Sequence, residues 1–154
     1  MPPCVVENPL SLREFAGKEI AVTPWFQLTQ EHIRQFAEIT EDRQWIHVDQ
    51  ERARLESPYG ATIAHGFLIL ALSSYFVKQA VEIRRGVRLA VNYGLNRVRF
   101  PSAVRANSNI RARVTLLDLK ELPQSIEATY SVSIEAEKAA KPSCVAECVI
   151  RYFP

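Results

Sequence analysis

The stretch Ala61-Thr62-Ile63-Ala64-His65-Gly66-Phe67-Leu68-Ile69-Leu70-Ala71-Leu72-Ser73-Ser74-Tyr75-Phe76-Val77 constrains the fold more than any other part of the chain. It opens with small residues and a His-Gly pair, then runs apolar on every side of a helical wheel. A helix of that kind, in water, must be covered on all sides. The unbroken apolar run from Gly66 to Leu72 is far short of the roughly 18 residues that span a bilayer, so no membrane partner is expected. The pattern predicts a central helix over about 66–83, stopped by Arg85-Gly86 and wrapped by the rest of the chain. Either a sheet curls around it or a second subunit covers what is left, so a homodimer is expected.

The chain of 154 residues is the length of one domain, 1–154. Its 19 Lys+Arg against 17 Asp+Glu leave a net charge of +2, too balanced to argue for nucleic acid as a partner. Basic residues do gather between Arg84 and Arg113. Charge alone does not separate a patch for a phosphorylated small ligand from an ordinary solvated strand surface. Cys4, Cys144 and Cys148 form no disulfide framework; the last two share one face of a strand and read as small hydrophobes. The opening MPPCVVENPL lacks both the basic and the apolar region of a signal peptide, so a cytoplasmic location is expected.

In chain order, a short helical piece near Ser11–Ala16 precedes a strand over Glu19–Phe26. Thr29 is placed to cap a helix with Ile33, Phe36 and Ala37 on its apolar face. Asp49 caps another over Gln50–Glu56, and Ser57-Pro58-Tyr59-Gly60 breaks it. After the central helix, four antiparallel strands follow: Val87–Arg99, Asn109–Lys120, Ser125–Glu137 and Cys144–Phe153. Asn107 stands where a turn glycine is expected. Helices packed on one face of such a sheet make an α+β fold.

Two places carry chemistry. Asp42 and His47 are five residues apart, which puts them on different faces of either a helix or a strand. They share a site only if 41–48 is an irregular loop, with Trp45 and Ile46 anchoring it. A carboxylate beside an imidazole moves protons near neutral pH; from spacing alone, a turn-capping Asp and a satisfied core His are the more common arrangement. His65-Gly66 opens the central helix, where unpaired N–H groups and the helix dipole favour negative charge, and Gly66 admits close approach. That suits an oxyanion site for a thioester carbonyl, though tight packing also explains a glycine there.

The segment Phe36-Ala37-Glu38-Ile39-Thr40-Glu41-Asp42-Arg43-Gln44-Trp45-Ile46-His47-Val48-Asp49, with Tyr59–Phe67 and Val91–Pro101, resembles the MaoC-type dehydratases, or (R)-specific enoyl-CoA hydratases, in their NodN-like branch. The resemblance implies a hot-dog fold: a long helix wrapped by a curved antiparallel sheet, working as a dimer. It implies hydration of trans-2-enoyl thioesters, or the reverse elimination, with Asp42 and His47 as the catalytic pair and the Gly66 N–H polarising the carbonyl. Gln44, Trp45 and His65 would line the substrate site, and Arg97 and Arg99 would meet the phosphates of coenzyme A, which enters only as part of an acyl-CoA substrate. An acyl-carrier-protein thioester is the other substrate form. Glu41, Gln44 and Trp45 depart from the family's Gly, Asn and Pro, which puts substrate and rate in question rather than reaction class. No metal is expected, since the three histidines look scattered along the chain. A thioesterase would need an acid on the central helix, and there is none between Gly66 and Gln79; a non-catalytic acyl-thioester-binding subunit is the remaining alternative.

Overall fold

A computed structural model describes residues 2–154 of the chain. The elements are β1 (Cys4–Val6), a 3-10 helix (Pro9–Phe15), β2 (Lys18–Val22), β3 (Phe26–Leu28), α1 (Gln30–Thr40), α2 (Trp45–Val48), α3 (Gln50–Glu56), α4 (Gly66–Ala80), β4 (Val81–Ile83), β5 (Leu89–Arg99), β6 (Ser108–Leu122), β7 (Ser125–Ala136) and β8 (Cys144–Phe153). The main sheet is antiparallel in the order β2-β6-β7-β8-β5, with β3 also pairing on β6.

Strict alternation makes this sheet one-faced. Ile110, Ala112, Val114 and Leu116 of β6 are buried, as are Ala128, Tyr130, Val132 and Ile134 of β7. Cys144, Ala146, Cys148, Ile150 and Tyr152 continue the face on β8. Successive side chains of a strand point to opposite sides, so these rows form a single apolar floor. Leu68, Ile69, Phe76, Val77 and Ala80 of α4 belong to the same core cluster. The cysteines are free and buried, and burial pushes the Cys144 thiol up to about 11.

The sheet covers only part of α4. Phe67, Ala71 and Tyr75, spaced by one helical turn, stay exposed. Edge strand β5 is exposed almost throughout, including Leu89, Val91, Tyr93 and Leu95. The helix that is apolar all round is therefore wrapped on one side, and its outer stripe shares the surface with an apolar edge strand.

Several boundaries differ from expectation. The strand expected over Glu19–Phe26 is two strands, because Pro24 has no N–H to donate. Thr23 bridges the gap: its N–H donates to the Ala112 carbonyl at 2.9 Å, and its Oγ1 accepts from the Ala112 N–H at 2.9 Å. The central helix stops at Ala80 rather than near 83, and Val81–Ile83 turns into β4, parallel to β1. The segment 41–48 is irregular only as far as Gln44; Trp45–Val48 form one helical turn. The strand β5 pairs with β8, and 100–107 connects it to β6, two strands beyond β8 across the sheet. That connection runs beside the lead-in to α4, with the Ala64 N–H on the Val104 carbonyl at 2.8 Å and the Ala106 N–H on the Thr62 carbonyl at 2.9 Å.

Candidate active site

Asp42 is set by how α1 ends. Thr29 caps the start of this helix in a reciprocal box with His32, whose Nδ1 accepts from the Thr29 N–H at 3.1 Å. At the other end Glu41 turns the chain with φ +60, in the left-handed region. The resemblance sets a Gly against Glu41, and Gly is the residue that adopts this conformation most readily. The Glu41 carboxylate pairs with Arg43, which also meets Glu38 at 2.9 Å, so it is turned along the surface. Asp42 follows, exposed and in irregular backbone.

His47 lies in the single turn α2 and is 6% exposed. Its Nδ1 is 2.7 Å from the Ile63 carbonyl oxygen. A carbonyl only accepts, so Nδ1 carries the proton and Nε2 is the bare nitrogen of the neutral ring. The Ile63 N–H returns to the Ile46 carbonyl at 3.0 Å, locking the turn to the lead-in of α4. Gln30 adds a third tie: its Nε2 donates to the His47 carbonyl at 2.8 Å while its Oε1 accepts from the Thr62 hydroxyl. Burial pushes His47 below the usual imidazole range, and neighbouring His65 adds to this. The Ile63 carbonyl and Asp42 pull the other way.

His65 is also buried, in the cap position of α4. Its ring stacks on His47 with centroids 3.7 Å apart and planes 24° apart. Nε2 donates to the Asp42 carbonyl oxygen at 2.9 Å, and Nδ1 has no partner among the described residues. The N–H groups of Gly66 and Phe67 precede the first helical bonds, in which Leu68 and Ile69 return to the His65 carbonyl. A Cβ on Gly66 would meet the Phe100 ring at 3.2 Å, so close packing also favours glycine there.

Two of the three histidines, His47 and His65, are thus not scattered. A ligating atom from each of Asp42, His47 and His65 lies within 4.8 Å of the other two. Stacked rings present their in-plane lone pairs side by side rather than converging, and one nitrogen of each is engaged on a carbonyl. The cluster fits proton transfer better than a metal. Gln44 precedes α2 without capping it through its side chain, and is exposed. Trp45 is half-buried, its ring under Arg52 at 4.3 Å. Arg97 and Arg99 lie on exposed β5; Arg99 donates to its neighbour's Val98 carbonyl at 2.7 Å, and no bond ties either to the histidine cluster. Arg84 and Arg85, at the start of the basic stretch, pair with Glu7. Gln30, Ile63 and Phe36, which packs on His65 at 5.1 Å, escaped sequence reasoning because nothing in their spacing distinguishes them from helix surface or core.

An apolar cleft of about 290 Å³ begins one turn along α4 from Gly66. Leu70 and Val77 of α4, Leu95 of β5 and Cys148 of β8 line it, with Ser74 and Asn92 joined across it by a 2.8 Å hydrogen bond.

The family model described as MaoC like domain matches residues 13–138. A 3-hydroxyacyl-thioester dehydratase Z from Mycobacterium tuberculosis is 45% identical over 95% of this chain and 96% of its own length. A nodulation protein N from Rhizobium meliloti is 41% identical, covering 86% of this chain and 83% of its own. The solved R-hydratase from Pseudomonas aeruginosa superposes with a TM-score of 0.70 at 21% identity, over 90% of this chain and 81% of that one. The likeness establishes the hot-dog fold, and the extent of the family and sequence matches shows that the chain belongs to the MaoC-like dehydratase family.

Proposed function

We propose that the protein adds water across the double bond of trans-2-enoyl thioesters to give (3R)-3-hydroxyacyl thioesters, and catalyses the reverse elimination, as a hydro-lyase. The observation that carries this is the tautomer of His47. With Nδ1–H held by the Ile63 carbonyl, the basic Nε2 is the free nitrogen, in a site shared with the Asp42 carboxylate and the start of α4. The names borne by the relatives, thioester dehydratase and R-hydratase, point to the same chemistry.

In hydration, Asp42 orients a water and His47 Nε2 removes its proton as the oxygen bonds to C3. The electron pair of the double bond shifts through C2 to the thioester oxygen, where the Gly66 N–H and the positive end of α4 stabilise it. The proton taken up by His47 Nε2 is then delivered to C2, which restores the neutral imidazole, and the carbonyl re-forms. Burial keeps His47 neutral, the state that can accept a proton. Gln44 and Trp45 flank the reacting carbons, and the cleft beside Leu70 takes the acyl chain. Arg97 and Arg99 meet the phosphates of an acyl-CoA or acyl-carrier-protein thioester. The working unit is a homodimer joined along β5, which covers the outer stripe of α4.

The test is to incubate the protein with crotonyl-CoA and longer trans-2-enoyl-CoAs, following both enoyl absorbance and free thiol. Loss of absorbance without thiol, reaching the same equilibrium from (3R)-3-hydroxybutyryl-CoA, is expected. Release of thiol would make it a thioesterase; binding with no turnover at any chain length would make it a binding subunit.

A further inference from the structure

We infer that His65 is a positioning residue for this reaction: its imidazole holds Asp42 and His47 in register, and it does not bind substrate. The inference rests on the hydratase reading. The residue is 3% exposed, so it offers a substrate almost no surface. Its ring is engaged by protein instead. One face stacks on His47 at 3.7 Å, Phe36 packs against it at 5.1 Å, and its Nε2–H reaches the Asp42 carbonyl at 2.9 Å.

A residue in the cap position commonly folds back onto the first N–H groups of its helix. The side chain of His65 makes no such bond and crosses to a loop 23 residues earlier in the chain. That loop needs a tether. Residues 41–44 have no regular structure, Glu41 is left-handed, and the Glu38–Arg43–Glu41 clip is formed by exposed side chains, which hold weakly. The bond from His65 is part-buried, with its donor ring inside the protein, and so is better shielded from water than the clip. Because the same ring stacks on His47, one residue fixes both members of the pair against each other. The unpartnered, buried Nδ1 points the same way. A buried polar atom without a partner is destabilising, so an apolar ring would serve packing better. The imidazole is there for the bond that its other nitrogen makes.

The test compares His65→Phe, which keeps ring faces but has no donor, with His65→Gln, whose amide N–H reaches as far as Nε2, and His65→Asn, whose amide falls short. Each is assayed on crotonyl-CoA alone and with Asp42→Asn. We expect His65→Phe and His65→Asn to lower kcat about 30- to 100-fold with KM within about twofold, as for a displaced reacting group. His65→Gln should recover most of the loss. In the Asp42→Asn background, His65→Phe should lower kcat by less than about threefold more, because both changes act on one carboxylate. Four results would overturn the inference: a raised KM at unchanged kcat, equal rates for Gln and Asn, full additivity with Asp42→Asn, or wild-type kcat in His65→Phe while Asp42→Asn and His47→Asn are inactive. Should Asp42→Asn and His47→Asn both turn over like wild type, the assignment of the pair falls, and this inference with it; a wild type that releases thiol or does not turn over would instead sink the hydratase reading. The Gln–Asn comparison decides the matter if the Phe variant does not fold.

Discussion

Burial gives His47 a definite acid sensitivity. Its folded pKa lies below the ordinary 6.5, so folding favours the neutral ring and the unfolded chain binds more protons. The stability this contributes is fully present above pH 6.5 and is lost as pH falls from there through the folded value. Between about pH 8 and about pH 5, urea unfolding of the wild type should therefore lose more free energy than that of His47→Gln; parallel curves would contradict the assignment. Activity follows the same sign: the acid limb of kcat/KM should fall below 6.5. Glu41 offers a second residue-scale prediction. Its left-handed φ of +60 strains any side chain, so Glu41→Gly should stabilise the fold by about 0.5–1 kcal/mol in urea unfolding. Unchanged or lower stability would mean that the pairing with Arg43 outweighs the backbone strain.

The elements around the site are held by ties between them more than by their own propensities. Gln30 links α1, the turn α2 and the lead-in to α4 through the His47 carbonyl and the Thr62 hydroxyl. Gln30→Leu leaves both without a partner and should cost about 1–2 kcal/mol, with a lower kcat because the His47 turn is freed. A variant as stable and active as wild type would show that the tie is incidental. Such links were not legible in the sequence, where Gln30 is simply the polar residue after the Thr29 cap. Local signals were legible: Thr29 and Asp49 place the starts of α1 and α3, and period-two runs of ten or more residues place β6, β7 and β8. The three-residue pairing of β1 with β4 has no periodicity to read, and it depends on residues about 77 apart. The approach of His47 to His65 likewise comes from tertiary packing. The segments that carry the family resemblance include both positions but do not say that the rings stack.

At the scale of the molecule, an apolar stripe on α4 and an apolar edge strand lie open together. Long exposed edges invite pairing with another strand, and β5 exposes apolar side chains on both faces: Leu95 on the side of Phe67 and Tyr75, and Val91 and Tyr93 on the other, beside Arg151. The protein should sediment as a dimer, and Val91→Lys with Leu95→Lys should shift it to monomer with loss of turnover; a wild type that stays monomeric at high concentration would contradict a β5-joined dimer. No helix among the described residues is long and apolar enough to cross a membrane. The whole molecule then reduces to a scaffold that brings Asp42 and His47 to the start of α4. The initial rate of crotonyl-CoA hydration in wild type, Asp42→Asn and His47→Asn, with folding of each verified by unfolding curves, tests that most directly. Rapid loss of the enoyl absorbance in wild type, reduced about 10²–10⁴-fold in each variant, is expected; folded variants that hydrate at the wild-type rate would contradict it.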